Sequence, residues 1–288
     1  MPDDRHNAAR EANLAAYAAT SGAAYRDVAP HLRHPALRAL QRSLSDRVLG
    51  AARLLDPSPR VLDLGGGEGT HALAWLEAGA RVTVVDLSPE QLGALGSRCV
   101  AHAARLRTLC LDVIEAIARL AREGETFEVV SANSFLHHVP DYVALVREAC
   151  GRVAPGGSLL TFQDPLRYDG LGLFARGFSA FAYGSWRVFQ GDVFGGARRR
   201  LRRMRGVHLD GCPQDNAEYH VTRGGVDAEA IVAALRERGF EAEVVRYFST
   251  HGAFWQRVGS GLGLENTFAV VATAKGGECR GRDSNPHG

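Results

Sequence analysis

The stretch "VLDLGGGEGTHALAWLEAGARVTVVDLSPEQL", from Val61 to Leu92, decides the fold of this 288-residue chain. Two apolar runs flank a turn at 65–69 in which four of the five residues are glycine. One acid, Asp63, lies just before that turn, and a second, Asp86, ends the second apolar run. Glycine lets the backbone adopt a positive φ and approach a ligand closely. The stretch therefore predicts a strand, a ligand-binding turn, a helix and a second strand.

The alternation of strands and helices continues beyond this stretch. Apolar runs at 106–113, 127–133 and 156–164 alternate with helical segments, and two further runs follow at 241–250 and 266–274. This alternation is typical of βαβ units, and strands that are apolar nearly throughout indicate that helices cover both faces of the sheet. We expect an α/β fold with a Rossmann-like, doubly wound, mostly parallel seven-stranded sheet.

Composition divides the chain into segments around this sheet. Apolar residues at helical spacing precede the first strand, and an aromatic, glycine-rich and basic insertion interrupts the alternation after Asp164. A tail without apolar periodicity ends the chain, and we expect it to be disordered. The predicted segments are an N-terminal helical cap (1–57), the ligand-binding core (58–165), a lid insertion (166–222), the rest of the core (223–275) and the tail (276–288).

Charge and composition limit the classes of function. A formal net charge of +2 is too small to make nucleic acid the default partner. The apolar runs are shorter than the roughly 18 residues that a membrane span needs, and the N-terminus lacks the apolar region of a signal peptide. We therefore expect a cytoplasmic protein without a membrane span, as a monomer or a homodimer.

Cysteine and histidine spacing gives no sign of a metal. The five cysteines include no C-x-x-C pair, and their odd number argues against a disulfide framework. No H-E-x-x-H occurs among the eleven histidines. We expect no bound metal ion.

The spacing of the glycines distinguishes between nucleotide cofactors. Gly65 and Gly67 match the first two positions of the dinucleotide fingerprint G-x-G-x-x-G, but Thr70 occupies the third. The pattern D-x-G-x-G-x-G, from Asp63 to Gly69, resembles motif I of class I S-adenosylmethionine (SAM)-dependent methyltransferases. The resemblance covers 58–164 well and the last two strands loosely, but not the N-terminal helices or the insertion. Binding of NAD or FAD, and the absence of any cofactor, remain alternatives.

The resemblance implies a role for a polar residue at the end of each successive strand. Asp63 would face the cationic end of the methionine moiety, directly or through water, and Asp86 would accept the ribose hydroxyls. Asp112 would accept the adenine amino group. Taken alone, Asp86 and Asp112 could equally be helix caps. The predicted cofactor-binding residues are Asp63, Gly65, Gly66 and Gly67 at the turn, Asp86 and Leu87, then Leu111, Asp112 and Val113 around the adenine, and Asn133 and Ser134 beside the methionine moiety.

Two adjacent histidines are the predicted catalytic residues. Methyl transfer to a protonated oxygen or nitrogen benefits from a general base, and histidine accepts a proton near neutral pH. His137 and His138 follow the fourth strand, where the resemblance places the transferred methyl group. We expect one of them to line the pocket and the other to pack against the helix that begins near Pro140. The alternative is that both only shape the site.

The insertion is the predicted substrate lid. Its seven aromatic residues, from Phe174 to Phe194, could bury an apolar substrate, or could instead form a packed subdomain or a dimer interface. The six arginines between Arg198 and Arg205 could clamp an anionic substrate, touch acidic lipid, contact nucleic acid or form a solvated helix face. The candidate substrate-binding residues are Tyr17, Tyr25, Asp164, Trp186, Arg187, Tyr219 and His220.

The sequence thus predicts a SAM-dependent methyltransferase that acts on a small-molecule metabolite, anionic or apolar, in a biosynthetic pathway. Its products would be S-adenosylhomocysteine (SAH) and a compound methylated on oxygen, nitrogen or carbon. No nucleic-acid partner is expected, because the fourth strand lacks the N/D-P-P-Y/F signature of many nucleic-acid methyltransferases. Two alternatives remain: a SAM-bound enzyme that catalyses cyclisation or elimination, and a non-enzymatic SAM- or SAH-binding protein.

Overall fold

The computed structural model describes residues 4–18, 27, 29–189 and 219–275. The strands within these ranges form a single seven-stranded sheet, as the sequence predicts. Short β-branched and apolar runs build each strand. In chain order the strands are β1 (Arg60–Leu64), β2 (Arg81–Asp86), β3 (Leu106–Cys110), β4 (Phe127–Asn133), β5 (Val153–Pro165), β6 (Phe240–Tyr247) and β7 (Thr267–Ala274).

Helices connect the strands and precede the sheet. Several begin at side chains that cap the first turn, such as Ser88, Asp112 and Asp227. The described helices are α1 (Asp4–Ala18), α2 (Pro30–Arg33), α3 (Pro35–Arg53), α4 (Thr70–Glu77), α5 (Pro89–Arg98), α6 (Val113–Arg122), α7 (Tyr142–Cys150), α8 (Leu173–Phe189), α9 (Tyr219–Arg223), α10 (Ala228–Glu237) and α11 (Ala253–Gly261), with 3-10 helices at Val100–Arg105 and Leu136–His138.

The order of the strands creates a crevice beside β1. The sheet runs β3-β2-β1-β4-β5-β7-β6, so the chain moves to one side of β1 and then returns to its other side. All neighbouring pairs from β3 to β5 are parallel, whereas β7 is antiparallel to both β5 and β6. Ligands of such sheets bind outside the carboxyl ends of the strands, where the order reverses. The fold therefore places the glycine turn after β1 at the expected ligand-binding position.

Helices bury both faces of the sheet. Leu62 packs in a cluster with Leu120 of α6 and Ile231 of α10, whereas its neighbour Val61 packs with Trp75 of α4. Successive strand residues point to opposite faces, so an apolar residue at every position is needed when both faces are covered. This explains why the strands do not show the alternating polar pattern of a half-exposed sheet.

The helices of the N-terminal segment do not form a single cap over the sheet. Val48 and Ala52 of α3 pack into the same apolar cluster as Val61 and Leu160 of the sheet. Helix α3 is therefore part of a core layer, while α1 and α2 lie nearer to the crevice. Helix α11, between β6 and β7, is an element that the sequence analysis missed.

The described part of the insertion contains one long helix, α8, and most of the short helix α9. In α8, Phe178 packs edge-on against Phe248 and Trp255, and Phe181 also meets Trp255. These contacts attach α8 to the end of β6 and to α11. The predicted arginine run at 198–205 and Phe194 lie outside the described residues.

Close packing fixes the shape of the glycine turn. Gly65 has φ +68°, and a Cβ atom there would lie 2.1 Å from the ring of Phe135. Gly69 has φ +79°, and its Cβ would lie 1.9 Å from Leu95 of α5. Gly67 also has a positive φ, of +54°, but no atom lies within 4 Å of its Cβ position. Protein atoms therefore occupy the space beside Gly65 and Gly69, and Gly67 faces open space.

We predict that Gly69→Ala destabilises the fold by about 2 kcal/mol or more, because alanine adds both strain at positive φ and overlap with Leu95. Gly79→Ala is the matched control, since Gly79 also has a positive φ, of +93°, but nothing within 4 Å of its Cβ position. The control should lose only about 1 kcal/mol. Chemical denaturation of both variants measures the difference, and equal losses would show that Leu95 does not constrain the turn.

Candidate cofactor and acceptor site

A single cleft lies at the carboxyl ends of β1, β2, β3 and β4. It encloses about 1220 Å³, including its open mouth. Helix α1 and Leu32 of α2 form the wall opposite the strand ends. The strand-end residues that line the cleft are Gly65, Gly66, Gly67 and Glu68, then Asp86, Leu87 and Ser88, then Leu111, Asp112 and Val113, and finally Asn133, Ser134 and Phe135. Ten of the eleven predicted cofactor residues therefore meet in one cleft, and only Asp63 does not line it.

Asp86 links the ends of β1 and β2. Its Oδ2 accepts the backbone N–H of Gly67 at 2.8 Å, and its Oδ1 accepts that of Ser88 at 2.9 Å. Burial raises the pKa of Asp86, while the backbone hydrogen bonds oppose that rise. Ser88, rather than Asp86, caps α5. Asp86 thus holds the glycine turn in place and still presents a carboxylate to the cleft.

Asp112 caps a helix and contacts α1 at the same time. Its Oδ1 accepts the N–H of Ile114 at the start of α6, at 2.9 Å. Its Oδ2 lies 3.1 Å from Nε2 of His6. The capping alternative is therefore correct for this residue, but Asp112 also lines the cleft. The pairing with His6, 106 positions earlier in the chain, could not be read from local sequence.

Asp63 lies behind the glycine turn rather than in the cleft wall. It is 1% exposed, and its Oδ1 accepts the hydroxyl of Ser131 at 2.7 Å. Its Oδ2 has no hydrogen-bond partner among the described residues. Burial raises the pKa of Asp63 to about 6, although the side chains of Ser131 and Asn133 lower it, and the nearby Asp86 adds to the rise. Asp63 is therefore placed to act on a ligand indirectly, through water or through the glycine turn, rather than by direct contact.

Three polar residues join the cleft to the N-terminal helices. The amide nitrogen of Gln41 on α3 lies 2.7 Å from Nδ1 of His71 and donates to Oδ1 of Asn133 at 3.3 Å. His71 lines the cleft and stacks on the buried His31 of α2, with ring centroids 5.6 Å apart. Sequence reasoning missed Gln41, His71 and His31. A histidine one residue after Thr70 was the available signal, but its partners come from a distant segment.

The two candidate catalytic histidines occupy different positions. His138 lines the cleft, together with Val139 and Pro140. His137 is turned inward, where its Nδ1 lies 2.8 Å from Oδ1 of Asp164, and its backbone N–H donates to the same oxygen at 3.1 Å. Their ring centroids are 4.0 Å apart. One of the pair lines the pocket, as expected, but His137 packs against the end of β5.

Asp164 is completely buried in this pair, so it does not contact a substrate in the cleft. Its orientation comes from a bulge in β5. The pairing with β7 shifts register between Phe162 and Asp164, and Gln163 between them has φ +69°. A bulge of one residue turns the following side chains to the opposite face.

The remaining substrate candidates are not brought to the cleft. Trp186 stacks on His251 with centroids 4.2 Å apart, and Arg187 lies beside Tyr183 on α8. His220 contacts the carbonyl oxygens of Val139 and Pro140 from outside, at 2.9 and 3.1 Å. The side chain of Tyr219 packs on that of His220. Tyr25 and the side chain of Tyr17 lie outside the described part of the structure.

The described ranges contain neither a candidate metal site nor a candidate membrane span. No group of three or more histidine, cysteine, aspartate or glutamate side chains there could hold a metal ion. No described helix has the length and hydropathy needed to cross a membrane.

Comparison with known proteins identifies the family. A family model described as a methyltransferase domain matches residues 36–245, well over half of the chain. The chain therefore belongs to the methyltransferase domain family, which confirms the predicted resemblance to class I SAM-dependent methyltransferases. Over 115 residues it is 36% identical to the ubiquinone biosynthesis O-methyltransferase of Xanthomonas campestris pv. campestris (strain B100). That match spans 38% of this chain and 44% of the relative, less than half of its length.

Solved structures share the fold. The magnesium protoporphyrin IX methyltransferase of Synechocystis PCC 6803, crystallised with SAH, superposes with a TM-score of 0.54 at 13% identity, covering 95% of this chain and all of that one. A [4+2]-cyclase superposes with a TM-score of 0.50 at 17% identity, covering 85% of each chain. At these sequence identities the likeness shows the architecture alone. That architecture is shared by a methyltransferase and by a cyclase, which catalyse different reactions.

The residues present fit SAM, the cofactor of this family. Gly67 leaves open space at the turn, and Asp86 presents a carboxylate beside it. Asn133 lines the cleft, and its Nδ2 is buried without a hydrogen-bond partner among the described residues. Such a donor suits a carboxylate or hydroxyl of a bound ligand. SAM has no pyrophosphate, so a site for SAM does not need the third glycine of the dinucleotide fingerprint, whose position Thr70 occupies.

We predict that Asp63 makes the protein less stable as pH rises. Because the pKa of Asp63 is raised to about 6 in the folded state, the fold binds a proton that the unfolded chain has released. The contribution of Asp63 to the free energy of unfolding should therefore fall between about pH 4 and pH 6, by about 3 kcal/mol in total. Asp63→Asn should remove this slope, so that its stability relative to the wild type improves as pH rises.

The control for this measurement is Asp46→Asn, which changes an exposed carboxylate on α3. It should leave the slope unchanged. Urea denaturation at a series of pH values from 4 to 7 measures all three proteins. Equal slopes for the wild type and Asp63→Asn would contradict the assignment of the buried charge to Asp63.

Proposed function

We propose that this chain transfers the methyl group of SAM to a small-molecule acceptor. The observation that carries this proposal is the meeting of the glycine turn, Asp86, Asp112 and Asn133 around one cleft in a methyltransferase-family fold. When bound, SAM supplies an electrophilic methyl group on a sulfonium sulfur. The Xanthomonas relative is named for O-methyl transfer in ubiquinone biosynthesis, which favours oxygen as the acceptor atom and a role in biosynthesis.

The residues at each successive strand end would bind a different part of the cofactor. The carboxylate of Asp86 has acceptor capacity beyond the N–H groups of Gly67 and Ser88, and ribose hydroxyls would use it. Leu111 and Val113 would pack on the adenine ring, with Asp112 at its amino group. Asn133, Ser134 and the turn at 65–67 would hold the methionine moiety. Asp63 would favour the cationic end of that moiety from behind the turn.

Catalysis would depend on alignment, exclusion of water and removal of one proton. Helix α1 covers the cleft opposite the strand ends and would limit the access of water to the bound cofactor. His138 is the residue that would accept a proton from the attacking hydroxyl, because it lines the cleft and histidine accepts protons near neutral pH. His137 and Asp164 would act behind it and hold its loop in position.

One alternative reaction has specific support. The cyclase with the same architecture favours, as the second candidate, an enzyme that binds SAM without consuming it. Incubation with SAM labelled on the transferred methyl, together with a metabolite extract, separates the two readings. Label in a new product identified by mass spectrometry supports methyl transfer. A new product without label, together with unchanged SAM, would identify the alternative.

We predict that Asp86→Ala weakens SAH binding at least about tenfold, because each hydrogen bond to a charged group contributes about 1.5 kcal/mol or more. Isothermal titration calorimetry with SAH measures this loss. Asp227→Ala is the matched control, since Asp227 also accepts a backbone N–H, that of Ala230 at 3.0 Å, but lies at the start of α10 away from the cleft. Equal SAH affinity in wild type and Asp86→Ala would exclude Asp86 as the ribose-binding residue.

A further inference from the structure

Most of the large apolar side chains that are exposed among the described residues lie on helix α8 or at helix α11. They are Leu173, Phe174, Phe181, Tyr183 and Val188 on α8, Phe254 on α11, and Leu262 directly after it. Leu173 is 86% exposed and Phe174 is 67% exposed. We name these seven residues the α8–α11 surface. Single exposed apolar residues are ordinary, but a contiguous group of them marks an interaction site.

Aromatic contacts make the α8–α11 surface continuous across the two helices. The ring of Phe181 meets that of Trp255 with centroids 5.0 Å apart, and Phe254 meets the same ring at 4.8 Å. Phe174 lies 6.2 Å from Phe178, whose ring is also in contact with Trp255, at 5.8 Å. On α8, Phe174 and Phe181 are about two helical turns apart, so they lie on the same side of the helix. The exposed side chains therefore form one surface rather than scattered positions.

The charges beside this surface are positive. Helices α8 and α11 contain no aspartate or glutamate, and their three arginines are Arg176, Arg187 and Arg257. Arg176 and Arg257 are exposed, and neither forms an ion pair with a described residue. The loop after α11 adds one acid, Glu265, and Asp169, before α8, is neutralised by its ion pair with Arg167. The α8–α11 surface thus combines apolar side chains with a net positive charge.

This charge distinguishes between the possible occupants of the surface. A second copy of the chain, bound about a two-fold axis, would bring the arginines of the surface against their own counterparts. The stretch that follows α8 carries the six arginines between Arg198 and Arg205, which the same positive charge would repel. An anionic lipid surface attracts arginines instead, and it is deformable enough to take in projecting side chains such as Leu173 and Phe174. Aromatic and leucine side chains beside arginines are typical of helices that lie in a membrane interface.

We propose that the α8–α11 surface docks this protein on the surface of an anionic lipid bilayer. The apolar side chains enter the boundary between the headgroups and the acyl chains, and Arg176 and Arg257 pair with the lipid phosphates. This proposal does not rest on the proposed function, because no residue of α8 or α11 lines the cofactor cleft.

The test is sedimentation of the full-length protein with vesicles of phosphatidylglycerol and, separately, of phosphatidylcholine. We expect phosphatidylglycerol to be bound at least about fivefold more tightly, and this preference should be lost in about 1 M salt, which screens the charges. Phe174→Ser combined with Phe254→Ser should weaken the binding at least about tenfold, because two rings no longer leave water. The matched control is Leu54→Ser combined with Val100→Ser, which removes side chains that are 88% and 72% exposed elsewhere on the fold. It should leave the binding unchanged.

A second pair of substitutions tests the charge alone. Arg176→Gln combined with Arg257→Gln should weaken binding to phosphatidylglycerol at least about threefold and leave binding to phosphatidylcholine unchanged. Both arginines are exposed and have no ion pair to lose among the described residues, so this variant should keep the stability of the wild type in urea denaturation. It therefore decides the question even where the loss of two phenylalanines disturbs the fold.

Three results would overturn the proposal. The first is the absence of binding to phosphatidylglycerol vesicles, or an equal loss in the phenylalanine variant and its control. The second is binding that survives both pairs of substitutions on α8 and α11 but disappears when the arginines between Arg198 and Arg205 are replaced by glutamine. The third is a dimer, detected by analytical ultracentrifugation without vesicles, that the phenylalanine variant no longer forms. That result would assign the α8–α11 surface to a second copy of the chain.

Discussion

The close packing of the glycine turn is the constraint on which the rest of the site depends. Phe135 lies where a side chain at position 65 would project, and Leu95 lies where one at position 69 would project. Gly66 is similarly confined, with Val84 and Asp63 at 2.5 and 2.9 Å from its Cβ position. The turn is thus clamped from inside by three neighbouring elements. Only Gly67 faces open space, so a rigid turn presents its backbone to the cleft in a single orientation.

Asp86 completes this clamp and connects it to ligand recognition. Its two oxygens hold the N–H groups of Gly67 and Ser88, and thereby tie the turn after β1 to the turn after β2. Burial raises the pKa of this carboxylate, and its charge in turn contributes to the raised pKa of Asp63. Interactions that preorganise a site commonly carry an energetic cost.

The local sequence predicts the part of the site that is formed by residues at the ends of the strands. The order of β1 to β4, and the acids at 63, 86 and 112, follow from the alternation of apolar runs and helices, since parallel strands bring their carboxyl ends to one edge. The second wall depends on contacts across long stretches of chain. His6 meets Asp112, and Gln41 meets His71, through the docking of helices whose own patterns do not specify a partner. Trp186 was predicted from composition, which does not say that α8 would attach to Trp255 and Phe248 instead of to the cleft.

The β5 bulge shows why the two adjacent histidines have different positions. From Ser158 to Phe162 the strand alternates regularly, with Leu160 and Phe162 both packed on the face that α3 covers. The positive φ of Gln163 shifts the pattern by one residue, and Leu166 then packs in the cluster on the opposite face. Asp164 consequently faces His137, and this pair anchors one end of the 3-10 helix Leu136–His138 in the core. Because consecutive residues of so tight a helix point in different directions, anchoring His137 inward leaves His138 at the cleft wall. A polar contact that never touches the cleft thereby selects which histidine lines it.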